Sequence, residues 1–291
     1  MFRKIISAFL IAVLLATLSS CALLRSVDES ASVDTTEKIT EENKTEGANV
    51  TESDTEPPET SPMYSVPVKR PGDPFTVCID PGHGYVDPGS TSDHLGGKWE
   101  REIVREYAEK LKSELEAEGV RVIMLWDEDV YVTAAEVAEA AKAAGVKFAE
   151  EKLVDDRRFA AYNRSVWANV LHRETYIDAF VSLHVNTYTA DESVWGTRIY
   201  YCTETENEAA SGKLCTSISG AIGNSLPSQK VRYYADKAED AYVVTKVPEM
   251  ASVLVEIGFV TNEAEAKNIL DEKWSDSFVD GLCRGILACK S

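Results

Sequence analysis

The chain has 291 residues, 44% hydrophobic and 27% charged, with 49 Asp or Glu against 30 Lys or Arg. That apolar fraction excludes wholesale disorder and rod-like repeats. Six cysteines are too few for a disulfide scaffold, and a formal charge of −19 excludes a protein that wraps nucleic acid through a basic surface. At roughly 150 residues per domain, length alone suggests about two domains.

Arg3 and Lys4 precede an apolar run over residues 5–18, broken only by Ser7 and Thr17. As a helix this run spans about 21 Å, short of the roughly 30 Å hydrocarbon core of a bilayer. A basic start, a short apolar stretch and small residues form an export signal. The run LSSC at 18–21 resembles a bacterial lipobox, so residues 1–20 are expected to be a lipoprotein signal peptide and Cys21 the lipidated mature N-terminus. An ordinary signal peptide with an incidental cysteine, and an uncleaved anchor, are the alternatives. All three place the remainder outside the cytoplasmic membrane. A lipid at Cys21 implies the outer face of that membrane as the location.

Residues 21–74 read as a disordered acidic linker. Between 26 and 70 there are 11 acidic residues against 4 basic ones, many Ser and Thr, and no apolar periodicity. Such a segment buries too little to offset its ordering entropy. Some 50 residues of flexible chain reach about 35–45 Å on average.

From residue 75 to the C-terminus, strand and helix patterns alternate as in one α/β domain with a twisted, mostly parallel sheet flanked by helices. Residues 75–80 (FTVCID) read as a first strand. Residues 100–119 carry Ile103, Val104, Tyr107, Ala108, Leu111 and Leu115 at helical spacing. A strand follows at 120–125, an Ala-rich helix broken by Gly145 at 134–153, and a helix at 157–171. Further strands are expected at 179–184, 195–202 and 251–257, with helices at 211–222 and 275–289.

Two of the four histidines occupy strand ends: His83 in DPGHG at 80–84, and His184 in SLHVN at 182–186. In open α/β sheets, ligands gather at the carboxyl ends of the strands. Glu100, at a helix start, and Glu256, near the end of a buried strand, face the same edge. Two imidazoles and a carboxylate are the ligand set of a catalytic zinc, and a further carboxylate is the base its water requires. Ordinary loop or core histidines are equally compatible with the spacing alone.

Three motifs resolve that choice. VCIDPGHGYVDPGS at 77–90, the S-x-H-x-N run at 182–186 and VLVEIGFVTN at 253–262 together resemble the zinc-dependent N-acetylmuramoyl-L-alanine amidases of type 3. The resemblance runs from about residue 76 to the C-terminus, with the motifs in order. It implies that His83, Glu100 and His184 bind Zn2+ and that Glu256 is the catalytic acid/base. The implied reaction is hydrolysis of the amide between N-acetylmuramic acid and L-alanine in peptidoglycan. Glu102 lies about 200° around the helix from Glu100 and cannot share its metal.

Departures from the family are Tyr85 in place of a second glycine, Trp126 in place of a Thr-Arg pair, and a long stretch over 127–155, compatible with a lid, a regulatory insertion or surface decoration. Asp80 and Asn186 flank the expected ligands and suit either a second shell that orients them or loop-capping hydrogen bonds. Arg198 and Arg232 are candidates for contacts to stem-peptide carboxylates. His94 and His172 are expected at the surface, Cys78 and Cys283 on buried faces, and a Cys202–Cys215 bridge is conceivable. A zinc peptidase cutting within the stem peptide, or a non-catalytic wall-binding lipoprotein, are the other function classes. Any activator protein is unidentified.

The charge divides as +3 over residues 1–25, −7 over 26–70 and −15 over 71–291. The catalytic domain is therefore itself acidic. No wall-binding repeat is visible, which leaves targeting to the lipid.

Overall fold

A computed structural model describes residues 67–84, 87–125, 132–154 and 160–290. The export signal, Cys21, the linker up to residue 66, Tyr85 and Trp126 lie outside the described residues. Residues 67–74 lie against the domain: Lys69 Nζ pairs with Asp178 Oδ1 at 2.5 Å and lies 5.1 Å from the centre of the Phe75 ring.

Six strands form one sheet in the order β2-β1-β3-β6-β4-β5. They are β1 (Thr76–Pro81), β2 (Arg121–Met124), β3 (Ala179–Asn186), β4 (Thr197–Cys202), β5 (Val231–Asp236) and β6 (Ala251–Phe259). Every adjacent pair is parallel except β4–β6. The mostly parallel α/β sheet expected from the sequence is what forms, and β4 and β5 run against the rest.

The helices are α1 (Glu100–Ala117), α2 (Ala134–Ala143), α3 (Ala161–Glu174), α4 (Glu208–Ser225), α5 (Val243–Lys246), α6 (Glu263–Leu270) and α7 (Glu272–Leu287). None in the described residues is long and apolar enough to cross a membrane. Strand alternation divides the core. Val253, Val255 and Ile257 of β6 face a cluster built by α1, α4, α6 and α7, while Leu254 joins Cys78, Phe180 and Tyr200 under α3 and α5. Both faces are covered, as buried parallel strands require. Gly281 and Gly285 let α7 approach α4, because a Cβ at Gly285 would stand 2.4 Å from Ile218 Cα.

Within the stretch over 127–155, the described residues 132–154 pack on α3. Thr133 caps α2 by accepting from Glu136 N, and the helix stops at Ala143, just before Gly145 with its φ of 65°. Val137, Ala141 and Val146 pack against Val166 and Val170.

Three expectations need correction. His172 is not a surface residue: it is 2% exposed, and its Nδ1 accepts from Ile177 N at 3.0 Å. Burial and the adjacent Arg173 charge push its pKa down to about 4, so it stays neutral. Cys202 and Cys215 are free thiols, each turned to a backbone carbonyl. The helix expected over 134–153 ends at Ala143, two residues before the Gly145 at which a break was expected, and only a 3-10 turn at Glu150–Lys152 follows. Cys78 and Cys283 are buried, as their positions on apolar faces implied.

Candidate metal centre

β1, β3 and β6 end at one edge of the sheet, and α1 begins there. Glu100, the first residue of α1, is 2% exposed. Its Oε1 lies 3.1 Å from His83 Nε2 and 3.0 Å from His184 Nδ1, and also accepts from Val185 N at 3.0 Å. Its Oε2 accepts from Ser90 N at 2.8 Å. The two imidazole rings meet edge to face with centroids 4.9 Å apart. Glu102 is turned away and accepts from Trp99 N at 2.8 Å, capping the helix.

Glycines make this convergence possible. A Cβ on Gly82 would lie 2.3 Å from His184 Cε1, and one on Gly89 would lie 2.8 Å from both Glu100 and His83. His83 itself adopts a φ of 64°, a left-handed conformation that costs a non-glycine residue about 1–3 kcal/mol. The surrounding contacts hold it there.

Asp87 is the carboxylate that sequence reasoning missed. Its Oδ2 lies 3.0 Å from His83 Nδ1, and its Oδ1 accepts from Gly89 N at 3.1 Å. The i,i+4 spacing from His83 was its only sequence signal. Asp80, expected beside the ligands, instead accepts from Arg164 Nε and Ser182 Oγ, each at 2.7 Å, inside the core. It braces β1, β3 and α3 without touching an imidazole. Asn186 ends β3, where its carbonyl accepts from Val260 N at 2.9 Å.

The charges are strongly coupled. Burial alone would raise the Glu100 carboxyl, but hydrogen bonds and charge from His184 and His83 hold it well below the usual carboxylate range. Burial opposes protonation of His83, yet Asp87 and Glu100 raise its pKa to about 9. Two imidazoles thus share one anionic oxygen, where the charge of a divalent cation would fit. Donors bound at 2.0–2.1 Å in a tetrahedron lie about 3.3 Å apart, close to the spacings seen here. The three ligand atoms all lie within 4.8 Å of one another.

Glu256, paired with His184 in the β3–β6 register, is 7% exposed. Its Oε2 is buried with no hydrogen-bond partner among the described residues. Burial, then the negative charge of Glu100, raises its pKa to about 8.

Residues 77–288 match the family described as N-acetylmuramoyl-L-alanine amidase, Amidase_3. The chain belongs to this amidase family. It is similar to the uncharacterized protein YqiI of Bacillus subtilis, at 29% identity over 72% of this chain and 82% of that one. It is also similar to the N-acetylmuramoyl-L-alanine amidase AmiC of Neisseria meningitidis, at 26% identity over 72% of this chain and 51% of that one. The crystal structure of an N-acetylmuramoyl-L-alanine amidase from Clostridium difficile shares the fold, with a TM-score of 0.55 at 22% identity, covering 75% of this chain and 97% of that one. As an amidase of this family, the protein hydrolyses the amide between N-acetylmuramic acid and L-alanine in peptidoglycan.

Asp87→Ala removes the hydrogen bond that fixes the His83 ring. The amidase variant should fold but bind zinc about 10–100-fold more weakly, the usual cost of losing such a partner. Competition against a chromophoric chelator measures this, and unchanged affinity contradicts the role.

Proposed function

We propose that the amidase is a zinc enzyme anchored by lipid at Cys21, in which His83, Glu100 and His184 hold the metal and Glu256 moves the proton. The observation that carries the catalytic assignment is the buried, unpartnered Oε2 of Glu256 beside the His-Glu-His cluster. A bound zinc ion supplies a charge that lowers the pKa of a coordinated water towards about 7 and polarises the scissile carbonyl.

Glu256 accepts a proton from the attacking water while the water oxygen bonds to the lactyl carbonyl carbon. When the C–N bond breaks, the same carboxyl delivers that proton to the alanine nitrogen and returns to its starting state. Burial and the Glu100 charge raise its pKa to about 8 in the metal-free site, and a bound cation would favour the carboxylate form that accepts the proton. Glu100 stays ionised throughout, and Asp87 keeps the His83 ring in a fixed orientation. The leaving group is an intact stem peptide with a free amino end, and the glycan stays uncut.

Glu256→Gln is expected to keep fold and zinc and lose about 10²–10⁴ in turnover. Mass spectrometry of muropeptide digests, with elemental analysis of the protein, measures both. Near-normal cleavage rules the assignment out.

The lipid reading rests on LSSC at 18–21 and the acidic linker that follows. The wild-type protein should partition into the detergent phase on Triton X-114 separation, and an exported Cys21→Ser protein into the aqueous phase. Identical partition of the two overturns anchoring through Cys21.

A further inference from the structure

β3, β6, β4 and β5 lie side by side, and their register pairs His184 with Glu256, Glu256 with Arg198, and Arg198 with Arg232. Register partners project from the same face of a sheet, so these four side chains form one row across it. At about 4.8 Å per strand, Arg198 is rooted about 5 Å from Glu256 and Arg232 about 10 Å from it, leading away from the candidate metal centre.

Two guanidinium groups side by side repel unless an anion lies between them. Among the described residues, neither has a carboxylate within ion-pair distance. Arg198 instead lies over the Phe259 ring at 4.5 Å and near the Tyr234 ring at 6.0 Å. These aromatic contacts stiffen the side chain without neutralising it. Arg232 is exposed. The pair is conspicuous in a segment, 71–291, that carries 38 acidic residues against 23 basic ones. Planar guanidinium groups favour carboxylates because they donate two parallel hydrogen bonds.

We propose that Arg198 and Arg232 form the subsite for the peptide leaving group and recognise the first free carboxylate beyond the scissile amide. This rests on the amidase reading of Glu256. The residue after L-alanine in a stem peptide is a glutamate linked through its side chain, so its α-carboxylate stands free. That carboxylate lies roughly 6–7 Å along the chain from the alanine nitrogen. With the nitrogen at Glu256, it falls within reach of the two arginines. Amidation of this α-carboxylate removes the charge and leaves the backbone unchanged, so the subsite would discriminate between amidated and unamidated walls.

The test uses two N-acetylmuramoyl tripeptides that differ only in an α-carboxylate or an α-carboxamide on the second residue. The zinc-loaded wild-type protein should prefer the carboxylate by about 10–100-fold in kcat/KM, the worth of a hydrogen-bonded charge, with most of the difference in KM. Calorimetric binding of both compounds to the Glu256→Gln protein should show the same preference without turnover. The double variant Arg198→Gln, Arg232→Gln should lose it, and Arg198→Lys should retain part. Equal handling of the two compounds by the wild type, which needs no variant to fold, overturns the proposal, as does a preference that survives the double variant. Cleavage of neither compound, despite bound zinc, instead defeats the amidase reading on which it rests.

Discussion

Glu100 presents one carboxylate oxygen to two imidazoles and a backbone amide, and the other to the amide of Ser90. A carboxylate that is 2% exposed is costly unless its charge is compensated and its oxygens are bonded. Here four donors do both. The same contacts fix the loop after β1, because Ser90 also accepts from Glu100 N at 2.8 Å and Pro88 from Arg101 N at 3.1 Å. The left-handed His83 and the bare Cα atoms of Gly82 and Gly89 are consequences of bringing two rings to one oxygen. Loss of that carboxylate would leave His83 strained and the two protonatable rings facing each other.

Topology supplies what lies around it. Parallel β1, β3 and β6 deliver Pro81, His184 and Glu256 to one edge. Because β4 runs the other way, its beginning, not its end, arrives there, so Arg198 stands opposite Glu256. Glu265 pins this junction from beneath: its carboxylate accepts from Gly196 N and Phe259 N, both at 2.8 Å, and from Gln229 Nε2 at 2.8 Å. One face of the edge thus holds the chemistry, and a buried carboxylate on the other holds the strands in place.

Much of this was legible in the sequence. The apolar stripe of α1 and the doubly buried run of β6 show plain periodicity, and both form close to their expected bounds. His83, Glu100, His184 and Glu256 converge because strand ends and helix starts share an edge. Less legible were the elements whose burial comes from elsewhere. β5 has a half-exposed VRYYAD sequence with no clear alternation, and α6 is short and half-polar. His172 looks like any helix histidine until the chain folds back and offers it Ile177 N. Asp80 and Asp87 could not be told apart by adjacency, since Asp80 sits on a strand facing α3 while Asp87 sits on the loop that returns to His83. Only the path of that loop distinguishes them.

The central claim is that Glu100, His83 and His184 together bind one zinc ion. Anomalous diffraction at the zinc edge, from crystals grown with equimolar zinc, tests it directly. The account predicts a single peak within about 2.0–2.2 Å of one ligand atom from each of the three residues. A peak elsewhere, or ligation that leaves out Glu100, would contradict it.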